Sequence, residues 1–487
     1  MSAELERFRS ALTAHLGLAF DESKETWLGE VLARRLAETR QQAEAYLEVL
    51  EHMPSQSELR WLAQKLTVGE TYFFRQREQF NALADVLEPQ HQVNGVKVAR
   101  LLSAGCASGE EAYTLAIVAR ESLQARGWSA SIRAFDLNPE SLAKAAKGVY
   151  SSWSLRETSQ PVRERWFRPQ GQQVVLADEL RAAVRFEERN LISDDPSAWA
   201  DGAYDAIFFR NVLMYFSPEV ASAVVAKMAR CLAPGGHLFL GHAETLRGLS
   251  TDFHLRHTHD TFYYQRKPGP PRVRPLDIAA VAAERTPTAG KADSWFDSIQ
   301  RASERVAALT EPAADSKSAQ GWNVAEARRL IERERFDQGL ELLRALPPES
   351  RSDPEVLLLW AVALFQRGQL VAAEETCRAL LAKDELNAGA HYVLALCRDG
   401  ARDLSGAAEE DRFASYLDPG FAMPRMHLGM LARRGGDLFA AHKELHQALW
   451  LLEREDPSRL LLFSGGFGRQ ALISVCQQEL DRLGAAR

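Results

Sequence analysis

The stretch Ser103–Ala119, SAGCASGEEAYTLAIVA, decides the fold. It closes the apolar run VARLLSAG, turns through Gly105 and Gly109, and continues into a helical apolar pattern. A glycine-containing turn between strand and helix lets a ligand approach backbone N–H groups at the strand ends of an open α/β sheet. The two glycines lie four residues apart, so the turn is not GxGxxG. The next apolar run, SIRAFDL, ends at Asp136, 27 residues after Gly109, where a carboxylate can accept hydrogen bonds from ribose hydroxyls. These features point to a nucleoside-containing cofactor. NAD and S-adenosylmethionine both fit them, and the missing third glycine favours the second, which has no pyrophosphate to cradle.

Outward from this turn, short apolar runs alternate with helical stretches: VRFEERNL, YDAIFFRNV and HLFLGHAE follow, then a pair around HLRHTHDTFYYQRK. Strands separated by helices imply a parallel sheet of βαβ units over residues 89–267. Within it, about 150–186, the turn PQGQQ followed by VVL suggests a small antiparallel subdomain, although a helical lid fits the same stretch. Residues 1–88 read as a helical domain, with Leu28, Val31, Leu32 and Leu36 at spacings of three and four. Six of the 20 prolines fall between Pro268 and Pro312, so 268–320 reads as a linker, with SWFDSIQRASERV at 294–306 as a possible short helix inside it.

The last third repeats with a period of 34 residues: Ala327, Ala361, Ala395 and Gly429 form one column, Gly339, Ala373, Ala407 and Ala441 a second, and Phe336, Leu370, Leu404 and Leu438 a third. Small residues at two fixed places allow paired helices to approach closely, with the large column expected to fill the space between neighbours. This resembles the tetratricopeptide repeat, an α-solenoid, over 321–455, with a capping helix expected at 456–487.

The composition is that of an ordinary multidomain protein, at 487 residues, 46% hydrophobic, 26% charged and net charge −7. It carries no electrostatic case for nucleic acid or an anionic membrane. The opening MSAELERFRS lacks the apolar core of a secretory signal and no run approaches a bilayer span, so a cytoplasmic protein without direct membrane insertion is expected. Five scattered cysteines, Cys106, Cys231, Cys377, Cys397 and Cys476, show no ligand or disulfide spacing. The histidines at 237, 242, 254, 257 and 259 likewise lack metal-ligand spacing, and no metal is expected.

The runs LTVGETYFFRQREQF, SAGCASGEEAYTLA, AFDLNPESLAKAAKGVY, VRFEERNL, YDAIFFRNVLMYF and LAPGGHLFLGHAETL, in this order, resemble the chemotaxis-receptor glutamate methyltransferases known as CheR. The likeness covers about residues 1–266. The linker, repeats and terminal FSGGFGRQALISVCQQEL look like the subgroup fused to a repeat domain, as in Wsp-type and Frz-type chemosensory systems.

The resemblance implies a Rossmann-like methyltransferase that takes S-adenosyl-L-methionine and releases S-adenosyl-L-homocysteine and a glutamate methyl ester. Thr71, Arg75 and Gly105 would contact the cofactor, Glu111 its methionine end and Asp136 its ribose. Asn190 and Leu191 would flank the adenine, with Phe209, Arg210 and Asn211 at the fourth-strand edge. Arg75, Arg210 and Tyr215 would serve catalysis. The family asparagine two residues before the threonine is replaced by Gly69, so one contact should be missing. Arg34, Arg35 and Arg40, with Lys24 nearby, would face the acidic methylation segment of a methyl-accepting chemoreceptor's cytoplasmic domain, and the repeats would hold a protein or peptide partner.

Residue chemistry agrees with that role. A glutamate carboxylate, pKa about 4.3, is ionised at neutral pH and attacks a sulfonium methyl without a general base, so the enzyme mainly positions. A binding protein without turnover remains open, pointed to by Gly69. A nucleic-acid methyltransferase would show an NPPY-like motif where FRNVLMYF stands, and a nicotinamide dehydrogenase would need the tighter turn.

Overall fold

The computed structural model describes residues 3–269 and 324–485, apart from 22–23, 68, 90, 94 and 465–466. The expected linker, with its segment 294–306, lies outside the described residues. Contacts divide the chain into two units, 1–244 with 248–312 and 245–247 with 313–487.

The first unit opens with α1 (Ala3–Leu16), α2 (Glu25–Thr39), α3 (Ala43–His52) and α4 (Gln56–Leu66). Leu5, Phe8, Leu12, Leu28, Leu32, Leu47, Leu50 and Leu62 form their shared core. The spacing of three and four read in α2 puts Leu28 and Leu32 on that buried side, and Ser55 caps α4 by accepting from Glu58 N–H.

After α5 (Arg77–Val86) come the strands β1 (Gln92–Val93), β2 (Val96–Ala104) and β3 (Ser129–Asp136), with α6 (Glu110–Val118) between the last two. Next are α7 (Pro139–Lys147), β4 (Val149–Ser151), α8 (Gln160–Trp166), β5 (Phe167–Gln170), β6 (Gln173–Leu176) and α9 (Asp178–Arg181). The unit closes with β7 (Val184–Glu188), β8 (Tyr204–Phe209), α10 (Pro218–Cys231), β9 (Leu232–Leu240), β10 (Phe253–Thr258) and β11 (Thr261–Arg266).

Eight strands form one sheet in the order β10-β11-β9-β8-β2-β3-β7, with β1 paired to β2. The β9-β8-β2-β3-β7 run is parallel, and β10 and β11 add an antiparallel hairpin at the edge. A central parallel strand is covered on both faces, which is why YDAIFF in β8 is buried at every residue. Its one charge, Asp205, accepts from the Arg100 side chain and backbone N–H. Phe80 of α5 stacks on Phe208, Phe208 on Phe239 and Phe239 on Tyr263, with centroids 5.1, 4.5 and 5.5 Å apart, fastening α5 to the sheet. Full burial of each such ring is worth roughly 1.5–3 kcal/mol. The small subdomain is a three-stranded antiparallel sheet, β4-β6-β5, carrying α8 beside it, so the antiparallel reading of that stretch holds and the helical-lid reading does not.

The second unit is a run of helix pairs: Val324–Glu332 with Phe336–Ala345, Pro354–Gln366 with Leu370–Leu381, Ala388–Gly400 with Leu404–Leu417, and Ala422–Arg434 with Leu438–Leu452. The two small-residue columns lie buried where the helices of a pair meet. A Cβ at Gly339 would stand 2.7 Å from Ile331 Cγ1, and one at Gly429 2.6 Å from Leu445 Cγ. The third column fills the space between neighbours only in part: Leu370 reaches the next pair, where a Cβ at Gly400 would stand 2.7 Å from its Cδ1. Phe336, Leu370, Leu404 and Leu438 each begin the second helix of a pair and stay partly exposed, Leu438 at 43%. The tail also differs from the single expected cap, for it holds two helices, Pro457–Phe463 and Arg469–Ala485.

Candidate functional site

The strand order reverses at β2, which lies between β3 and β8. Ligands of open α/β sheets sit outside the carboxyl ends of the strands at such a switch point. Gly105 follows β2, Asp136 ends β3, and Arg210 and Asn211 follow β8, so four of the expected residues converge there by topology alone.

The backbone around this crevice is unusual. Of nine non-glycine residues with left-handed φ among those described, Phe74, Gln76, Ala107 and Asn211 belong to the loops at the switch point. Such conformations cost on the order of 1–3 kcal/mol and persist where surroundings over-determine them. Here the restraints are visible. Phe74 N–H donates to Thr114 Oγ1 at 3.1 Å, Ala107 N–H to Asp136 Oδ2 at 2.7 Å, and Asn211 N–H to Glu244 Oε2 at 2.7 Å. Gly105 has φ +82°, and a Cβ there would collide with Val212 Cγ2, so this glycine serves close approach of the β2 and β8 loops.

Asp136 also accepts from Asn138 N–H at 2.8 Å. Burial pushes its carboxyl up, against the pull of the backbone donors from Asn138, Ala107 and Leu137. The result is a fixed acceptor at the strand end, suited to hydroxyl donors. Thr71 lies half-buried in the segment before α5. Gly69 leaves open room: a Cβ there would meet Ser141 Oγ at 3.4 Å and Ala107 Cβ at 3.9 Å.

Arg75 sits between the left-handed Phe74 and Gln76. Among the described residues its side chain has only a 3.4 Å hydrogen bond to the Glu70 carbonyl and a position 5.7 Å from the Tyr72 ring. The guanidinium is therefore available. Tyr215 is half-buried, its hydroxyl makes no hydrogen bond among the described residues, and burial with the Glu244 charge raises its pKa while the Arg75 charge lowers it. These two groups can orient an acceptor.

Arg210 is placed differently from the expectation of an acceptor ligand. Its Nε donates to Glu111 Oε2 at 2.6 Å, and its Nη1 donates to the Arg75 carbonyl at 2.7 Å and to Gln79 Oε1 at 3.0 Å. Glu111 accepts in turn from Ser103 Oγ at 2.6 Å. A guanidinium so committed, with its side chain 2% exposed, braces the Arg75 turn and does not face an acceptor. Glu111 is likewise turned to Arg210 and Ser103.

Asn190 donates its side-chain amide to the His15 carbonyl at 2.8 Å, joining the β7–β8 loop to the end of α1, while Leu191 is buried and Phe209 lies fully inside β8. The N-terminal arginines divide. Arg35 pairs with Glu58, which also accepts from Tyr46, and lies 4.5 Å from the Trp61 ring. It ties α2 to α4 and is not offered to a substrate. Arg34 is exposed with an i,i+4 partner in Glu38, and Arg40 is exposed at the end of α2.

Sequence reading missed Gln79, Ser103 and Glu244. Gln79 is buried, donates to the Leu240 carbonyl at 2.8 Å and holds Arg210; a polar residue beside Phe80 in an otherwise apolar helix face was its signal. Glu244 stood in the GHAETL run and receives Gly241 N–H as well as Asn211 N–H. Among the described residues, no three His, Cys, Asp or Glu side chains gather as a metal site, and no helix is long and apolar enough to cross a membrane.

An eight-stranded switch-point sheet with a terminal antiparallel hairpin, and with a carboxylate ending the strand after the glycine turn, is the architecture of an S-adenosylmethionine-dependent methyltransferase. Residues 69–262 match the family described as CheR methyltransferase, SAM binding domain. Chemotaxis protein methyltransferase 2 of Vibrio cholerae is 33% identical over 54% of this chain and 93% of its own. A chemotaxis protein methyltransferase of Vibrio parahaemolyticus is 35% identical over 42% of this chain and 74% of its own. The "Probable biofilm formation methyltransferase WspC" of Pseudomonas putida is 29% identical over 80% of this chain and 85% of its own. The chain belongs to the CheR methyltransferase family, whose reaction is protein-glutamate methylation with S-adenosylmethionine as cofactor.

Proposed function

We propose that the chain methylates glutamates of a methyl-accepting chemoreceptor, with Arg75 and Tyr215 orienting the acceptor carboxylate, Asp136 holding the cofactor's ribose, and the repeats recruiting a protein partner. The observation that carries this reading is Arg75, a guanidinium with no carboxylate partner among the described residues, on a turn with left-handed neighbours braced by a buried arginine. S-adenosylmethionine supplies a methyl group on a sulfonium. The chain's own residues bind, orient and exclude water. Arg75 can hold one carboxylate oxygen by a charge-assisted hydrogen bond and leave the other free to attack, while the Tyr215 hydroxyl limits its rotation. Such positioning can supply on the order of 7–11 kcal/mol. Thr71, Gly105, Asn190, Leu191 and Asn211 line the cofactor side in this reading. Arg210, Glu111 and Phe209 hold its walls. Arg34 and Arg40 remain the cations available to an acidic substrate segment.

Radiolabelled methyl transfer to receptor-containing membranes tests it. The label should be base-labile, map to glutamates and fall sharply with Arg75→Ala. Label on another residue type, or undiminished transfer by that variant, would overturn the reading.

A further inference from the structure

One face of the repeats, formed by the first helices of the pairs, is covered by the chain itself. The segment Pro457–Phe463 packs against Val324–Glu332, the first helix of the first pair. Phe463 closes on the first helix of the third pair and on the residue that leads into that of the fourth: its ring lies 5.9 Å from that of Tyr392 and 5.1 Å from that of Phe421. The fit is close enough that a Cβ added to Gly389 would meet Phe463 Cζ at 2.9 Å. Leu460, Leu462 and Phe463 are buried, whereas Leu461 is 49% exposed, so the segment is laid on the surface with one side free.

Charge fixes its direction. Arg459 pairs with Asp418 and donates to Glu455 Oε1 at 2.5 Å, and its guanidinium stands 5.0 Å from the Phe421 ring. Glu455 is buried and also accepts from Ala422 N–H at 2.6 Å. If the segment left, the buried Glu455 would lose its cation and Asp418 would keep only Arg247, at 3.3 Å, a costly state unless another cation replaced Arg459.

The segment is also poorly secured. Its helix has seven residues, well below the length at which a helix holds itself in water. Gly465, Gly466 and Gly468 separate it from the final helix in sequence, and that helix packs independently on Leu438–Leu452. The segment can depart without dragging the end of the chain with it.

We propose that Pro457–Phe463 is a resident stand-in for an external ligand: the face it covers is the repeats' binding groove, and the partner is a protein segment carrying an arginine followed by aliphatic residues and a phenylalanine in the same order. This deepens the recruitment reading and rests on it only in taking the repeats to bind protein. Partner binding then requires displacement, which makes the groove selective, because a competitor must supply both the apolar side chains and the cation.

The test uses the full chain and a labelled synthetic peptide, DPSRLLLFSGGF, matching residues 456–467. In fluorescence anisotropy, the double variant Leu460→Ser with Phe463→Ser should bind the peptide at least tenfold more tightly than wild type. A peptide with glutamate in place of its arginine should bind at least tenfold more weakly. Equal affinity of the two proteins, or indifference to the arginine, would overturn the proposal. In case the variant misfolds, hydrogen exchange on wild type decides: excess peptide should speed exchange in 457–463 and leave Ala388–Gly400 protected, and unchanged exchange would overturn it. Recruitment itself is judged separately, by whether deleting 320–487 slows methylation of native receptor. Displacement without that effect would sink recruitment and keep the groove, and the reverse pattern would do the opposite.

Discussion

Arg210 Nε lies 2.6 Å from Glu111 Oε2, with the two side chains only 2% and 9% exposed. A buried pair of this kind is weak evidence for stability as a pair but strongly penalises removal of one member. Glu111→Gln or Arg210→Met should each destabilise the first unit by about 3–5 kcal/mol, and the double variant should cost less than the sum. Denaturation followed by hydrogen exchange of β2 and β8 reports it. Additive losses would mean that the two charges do not depend on one another.

Arg75 gives the opposite expectation. Its side chain carries little structure, so Arg75→Ala should leave stability nearly unchanged while turnover falls about 10²-fold, the size of a positioning loss. Tyr215→Phe should lower turnover by more than it weakens cofactor binding. Steady-state rates beside calorimetry of S-adenosylhomocysteine separate the two quantities. A stability loss from Arg75→Ala without a rate effect would return this arginine to the scaffold.

Asp136→Ala removes an anionic acceptor, and a hydrogen bond to a charged group is worth about 1.5–3 kcal/mol. Affinity for S-adenosylhomocysteine should drop roughly ten- to hundredfold. Gly69→Asn should act in the other direction. The nearest atoms to a new Cβ are at ordinary contact distance, so the variant should fold as wild type does and tighten cofactor binding by about 1 kcal/mol, one net hydrogen bond. Calorimetry on both variants checks this, and unaltered binding by Asp136→Ala would move the ribose site elsewhere.

His237, buried in β9, has its pKa pushed down from 6.5 to about 4 by burial first and by the Arg256 charge second. Between those values the unfolded chain takes up a proton that the folded chain refuses. Its contribution is therefore complete above the ordinary value and is lost as pH falls toward the lowered one, at about 1.4 kcal/mol per pH unit. His237→Gln should narrow the stability difference between pH 7 and pH 5 by about 2 kcal/mol. Denaturant titrations at the two pH values would show it, and an unchanged difference would place the proton elsewhere.

Periodicity exposed most of the architecture, since apolar runs and the 34-residue columns follow from burial, which composition records directly. Positions at the ends of strands were legible for the same reason: Gly105 and Asp136 are fixed by the strand–turn–helix grammar. What stayed hidden was the direction of side chains. Arg75 and Arg210 look alike in sequence, yet one is free and the other is gripped by Glu111, the Arg75 carbonyl and Gln79. Arg34 and Arg35 are adjacent but lie on different sides of α2, one exposed and one locked to Glu58. Partners 99 or 135 residues away leave no local pattern, and the tail's return to the repeats leaves none either.

Ala19 N–H donates to the Tyr215 carbonyl at 2.7 Å, Leu18 bridges to Phe216, and Asn190 reaches back to His15. The stretch after α1 is thus stitched to the loop that carries the tyrosine. A fragment begun at residue 89, where composition marks a natural cut, would be an enzyme missing a wall: its tyrosine would lose the chain that steadies it, and Leu137 and Tyr215, which pack against the core of the N-terminal helices, would be laid open. The seam visible in the sequence is not a line along which this molecule can be divided.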